Sequence, residues 1–147
     1  MESFFNSQSY NQLLERLDSI NPDDAPLWGK MTTAQMMNHC QEPIKIALGY
    51  NDKNLKSNWV VKLLFKKMLY SPKPFKKNAP TPPAFRSTGT FNFEEQKAEL
   101  KKWMQELYND RHNPNRAPHP VFGTFTEEQW GILQWKHLNH HFEQFGV

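Results

Sequence analysis

The chain has 147 residues, enough for one domain with a real core, since a chain of this size buries about 70% of the surface it exposes when unfolded. Aromatic residues make up 14% of it, which excludes general disorder, and a net charge of +3 does not by itself indicate nucleic acid. The single cysteine, Cys40, excludes both an internal disulfide framework and a Cys-rich zinc site.

Five segments read as helices and none as a strand. The first runs from Ser7 to Ser19, with Leu13, Leu14 and Leu17 at helical spacing, and ends at Asn21-Pro22-Asp23-Asp24. Thr32 and Gln35 form a capping-box pattern for the second, with Met31 and Met36 placed as a staple; it should reach Leu48 and stop at Gly49. The third, Leu55 to Leu69, is apolar nearly all round: Trp59, Val60, Val61, Leu63, Leu64, Phe65 and Met68. Pro72, Pro74, Pro80, Pro82 and Pro83 then forbid regular helix and favour an extended loop. A fourth helix spans Phe93 to Tyr108. A second proline-bearing loop, through Pro114, Pro118 and Pro120, leads to the last helix, which Thr126 caps, Phe125 and Trp130 staple, and Gly146 closes.

The last helix carries the informative chemistry. At 100° per residue, Trp130, Gly131, Leu133, Trp135, Leu138, Phe142 and Phe145 cover a wide apolar arc. Gln134, His137, His141 and Gln144 fall inside it, His140 lies at its edge, and Lys136, Asn139 and Glu143 face outward. Burying such polar groups unpaired costs roughly 1–3 kcal/mol each, so something must satisfy them. His137 and His141, one turn apart, can aim ring nitrogens at one ion about 2.1 Å away. A third ligand has to come from another helix, and His39, beside the apolar face of the second, is the best candidate. Pro43, four residues on, cannot donate to the carbonyl of His39, so a loosened turn is expected there. Glu42 is placed to orient an imidazole or act as a base. The plainer alternative for this set is a buried polar network without metal.

Leu27-Trp28-Gly29-Lys30-Met31-Thr32 leads into the helix bearing His39, and the chain closes on His137-x-x-His140-His141-x-x-Gln144. From Trp28 to Gly146 this resembles the DinB/YfiT-like superfamily of four-helix-bundle proteins, and His119-Pro120-Val121-Phe122-Gly123 resembles an uncharacterised branch of it. The resemblance implies an all-α four-helix bundle, here with an additional short helix and proline-rich loops. It also implies a divalent metal ion, zinc or nickel, on the positions numbered His39, His137 and His141. Some members of that superfamily are thiol transferases and others thiol-using isomerases. This chain departs from them after the last ligand, where Phe142-Glu143-Gln144 replaces a common Arg-Gly-Gln and so lacks an arginine to meet an anionic thiol.

Between Lys53 and Lys77 stand eight lysines with one nearby acid, Asp52. They form either a cationic rim or the solvated edge of a core helix and loop; the second reading is preferred because aromatic residues do not interleave with the charges. Cys40 is expected in the core. His119 is a candidate for the mouth of the site, and the loop from Pro72 to Pro83 for a lid.

These observations lead to one domain over residues 1–147 and a divalent-metal-dependent enzyme, thiol transferase-like or hydrolase-like, acting on a small molecule. Its ligands are His39, His137 and His141, with Glu42, Gln134, His140, Gln144 and His119 around them. The alternative is a non-catalytic bundle that binds a small ligand or partner. No run approaches the ~18 apolar residues of a membrane span, and Met1-Glu2-Ser3-Phe4-Phe5-Asn6 lacks the basic start of a signal peptide. A cytoplasmic location, no nucleic-acid partner and a homodimer through helix faces are further expectations.

Overall fold

A computed structural model describes residues 1–147 as five α-helices and one short 3₁₀ turn, with no strand. Helix α1 covers Ser7–Ser19, α2 Thr33–Ala47, α3 Trp59–Tyr70, α4 Phe93–Asn109 and α5 Glu127–Gln144; the 3₁₀ turn is Pro83–Phe85. Helix α2 lies between α4 and α5, α1 closes against the same two helices, and α3 packs chiefly on α5.

Local chemistry explains the helix starts. Thr32 and Thr126 each accept from the backbone N–H three residues on, and Gln35 and Gln129 return the bond to the cap, so both ends of the box are made. Asn6, Asn58 and Asn92 cap the other three through their side-chain oxygens. The expected staple forms too, with the Phe125 and Trp130 rings 5.0 Å apart. Helix α3 begins later than Leu55. Asn51 folds back to accept from the backbone of Leu55, closing a turn that leaves Asn58 as the effective cap. Despite Pro43, α2 runs continuously from Thr33 to Ala47.

The helix ends share a device that local pattern does not reveal. Cations from elsewhere in the chain reach the unpaired carbonyls of the last turns, where the helix dipole is negative. Lys97 donates to Asp18 and Ile20 after α1, and Arg116 to Ala47 at the end of α2. Lys136 donates to Met68 and Ser71 at the end of α3, and Arg16 to Val147 beyond α5.

The core is one cluster drawn from all the helices except α3. Leu13 and Leu17 of α1, Met36, Met37, Cys40 and Ile44 of α2, Leu100, Met104 and Leu107 of α4, and Leu138 and Phe142 of α5 are among its fully buried members. Truncating any of the larger ones to alanine costs about 2–5 kcal/mol in such a setting. The N-terminal segment joins this core where Phe4 donates to the carbonyl of Gly131. A side chain at position 131 would collide with Ser3 and the Phe5 ring, so glycine in mid-helix is the residue that lets the segment seat.

Candidate metal centre

The polar residues inside the apolar arc of α5 converge on α2. Ring nitrogens of His39, His137 and His141, one from each, lie within 4.8 Å of one another, and His39 Nε2 stands 3.1 Å from His137 Nε2. His39 and His141 are buried and His137 is half-buried, with its Nδ1 enclosed. Burial pushes the His137 imidazole far below its usual range, and its histidine neighbours push the same way. Burial takes His141 down to about 3 and also lowers His39, although the carbonyl of Phe85 and the charge of Glu42 partly oppose the shift on His39. All three are therefore neutral at pH 7, the form in which imidazole binds metals.

The surroundings fix which nitrogen carries the proton on two of the rings. His39 Nδ1 is 2.8 Å from the carbonyl oxygen of Phe85, and only an N–H can face a carbonyl at that distance, so Nε2 keeps its lone pair. For His141 the argument runs through Gln144. The amide nitrogen of Gln144 donates to the carbonyl of Trp28 at 2.7 Å, which sets the amide's orientation. Its oxygen then faces His141 Nδ1 at 2.9 Å, placing the N–H there and leaving Nε2 as the free base. Gly29 makes this approach feasible. It sits at φ +78°, and a Cβ on it would stand 2.6 Å from the Gln144 amide nitrogen.

His137 differs: its Nδ1 is buried with no partner in the protein. If His137 Nε2 carries the proton, it donates to His39 and Nδ1 is a buried lone pair without a donor. If Nδ1 carries it, two lone pairs oppose each other at 3.1 Å. Gln134, one turn earlier, is similarly incomplete. Its amide nitrogen donates to the carbonyl of Pro43 at 3.0 Å, but its buried oxygen has no partner. A cation among the three rings relieves the opposed lone pairs directly. Two ligands of a tetrahedral zinc ion stand about 3.3 Å apart, so the His39–His137 spacing fits the group.

The other sequence candidates take different positions. His140 packs edge-on to His141 at 5.1 Å and lies beside Trp28 and Phe75. It lines a cleft of about 440 Å³ together with Phe75, Lys77, Trp135 and Asn139. Glu42 is engaged by Lys45 at 3.8 Å and Lys53 at 3.7 Å rather than by a histidine ring. His119 does not join the cluster. Its ring lies against Trp130 near the start of α5, and its Nδ1 accepts from the backbone of Val121 and Phe122. Cys40 is fully buried, its thiol pushed up by burial and turned to Met36. Lys136, expected on the outer surface, is buried because the end of α3 covers it; its ammonium lies over the Phe75 ring as well as on the α3 carbonyls.

The loop after α3 reaches the cluster beyond the proline-rich stretch itself. Phe85 contacts His39, Ser87 donates to Asn38, and Gln35 donates to the carbonyl of Gly89, so α2 pins the segment from Phe85 to Gly89 at three successive points. Backbone carbonyls carry no sequence signature, which is why the partner of His39 was not legible beforehand. Residues 5–146 match the family model described as a protein of unknown function (DUF1569). No curated protein and no solved structure matches the chain. With that match spanning nearly all of its length, the chain belongs to the DUF1569 family.

Proposed function

We propose that this chain is a divalent-metal-dependent enzyme of the thiol transferase or hydrolase type, with zinc or nickel held by His39, His137 and His141. The observation that carries the reading is the convergence of three histidine ring nitrogens within 4.8 Å, with the Nε2 lone pairs of His39 and His141 already set free by their Nδ1 partners. A histidine on the second helix meeting an H-x-x-x-H pair on the last one supports a four-helix bundle of the DinB/YfiT-like type, with residues 1–147 as one domain. A bound divalent ion would supply Lewis acidity, lowering the pKa of a water or thiol toward neutrality. The protein's own residues do the rest. The Phe85 carbonyl and Gln144 orient two rings, burial holds all three neutral, and the pinned segment from Phe85 to Gly89 keeps water from His39. His140 stands between His141 and the cleft, where a small substrate would meet Phe75 and Trp135.

The 3.1 Å approach of His39 and His137 favours a second reading, in which the pair shares a proton and the bundle binds a small ligand without catalysis. Thiol–electrophile conjugation and ester hydrolysis assays on tag-free protein loaded with zinc or nickel separate the two. The enzyme reading expects turnover that chelation and His137→Ala both abolish. No turnover in metal-loaded protein favours the second reading, and turnover unchanged by chelation contradicts both.

A further inference from the structure

Helix α3 turns its apolar side away from the rest of the protein. At 100° per residue its outward half reads, in angular order, Trp59, Tyr70, Leu63, Lys67, Val60, Leu64 and Met68, of which only Tyr70, at the far end, turns inward onto the Phe125 ring. No residue of α3 is buried, and Trp59, Leu63 and Leu64 are 75%, 73% and 64% exposed. The helix is held by its inner flank and far end instead. Lys66 reaches the carbonyl of Thr124 and the Phe125 ring, and Lys136 of α5 takes the carbonyls that end α3. These contacts fix α3 in place while leaving its outer face bare. Contiguous apolar patches are uncommon on monomers and mark sites of association.

The charge around α3 says what kind of surface covers it. From Lys53 to Phe93 the chain has no acidic residue, while it carries eight lysines and Arg86. Only Lys53 among them has a carboxylate within ion-pair distance, Glu42 at 3.7 Å. A second copy docked by two-fold symmetry would bring this acid-free surface against itself, with Lys67 in the middle of each apolar face. Nucleic acid would satisfy the lysines but offers nothing to Leu63, Leu64, Val60 and Met68. An anionic lipid surface meets both demands: lysines lie at the headgroups and extend their stems past the apolar residues, which enter the acyl boundary. Trp59, at the first turn, is the residue type favoured at that boundary.

We propose that α3 is an interfacial anchor that seats its outer face on anionic membrane surfaces. The test is co-sedimentation of the full-length, tag-free chain with phosphatidylcholine vesicles, with and without phosphatidylglycerol. The Leu63→Glu/Leu64→Glu double variant and the Lys67→Gln variant are run beside it. None of these positions is buried, so circular dichroism should show intact folds. The proposal expects binding to the anionic vesicles only, weakened by salt, with the bound fraction falling at least about tenfold in the leucine variant and severalfold in the lysine variant. It is overturned by absence of binding, by equal binding to neutral vesicles, or by full retention in the leucine variant. Light scattering that shows a dimer dissociated by the leucine variant would assign the face to self-association and overturn it too. So would binding to duplex DNA in place of vesicles.

Discussion

Two residues away from the cluster test how its rings are set. Gln144 holds the His141 tautomer only because Trp28 holds Gln144, and Gly29 leaves room for that contact. Gln144→Leu should weaken zinc binding about 10–100-fold, as loss of a ligand's orienting partner generally does. Gly29→Ala should move affinity the same way by displacing the amide. Competition titration against a chromophoric chelator reads both, and unchanged affinity in the two variants would contradict the orienting role. His119 makes a separate prediction. Burial and the nearby Lys66 take its folded value down to about 4, below its ordinary 6.5, and two backbone N–H groups already occupy Nδ1. Above pH 6.5 both folded and unfolded forms are neutral; between 6.5 and 4 only the unfolded chain takes the proton, so stability falls as pH falls. Urea denaturation across that range should show His119→Gln losing one proton's worth of that slope, and an unaltered slope would contradict it.

Among the elements, the helix starts were legible because their signals are local. Thr32 with Gln35 and Thr126 with Gln129 name both partners of a box within four residues. Helix α3 starts four residues after the apolar run does, since the run begins at Leu55 whereas the cap is Asn58. Lys136 departs from its helical pattern for a different reason. The periodicity of α5 puts it opposite the core, but α3 returns to cover that side, and no spacing within α5 can report where α3 ends. Lys136→Met should remove the charge that closes α3 while keeping its stem packed. Amide exchange in the last turn of α3 should then speed up while the core helices keep their protection, with about 1–2 kcal/mol lost locally. Equal exchange in α3 with and without Lys136 would contradict the capping role.

Across the whole molecule, the sequence revealed the candidate ligands because polar residues inside an apolar arc need an explanation wherever they occur. It could place His137 and His141 together by helical spacing, and His39 by its position beside the apolar face of the second helix. What it could not supply were the long-range backbone partners: the carbonyl of Phe85, forty-six residues from His39, and that of Trp28, far from Gln144. The same limit applies to α3, whose apolar residues read as core until the fold shows them facing out. The core therefore rests on α1, α2, α4 and α5, and the chemistry on a seam between α2 and α5. Metal content by elemental analysis of tag-free protein, reconstituted near neutral pH, beside His137→Ala, bears most directly on the three-histidine centre. About one equivalent of zinc or nickel is expected in the native chain, and its loss in the variant. No metal in the native chain, or the same amount in a folded variant, would contradict it and leave the three histidines as a buried polar network.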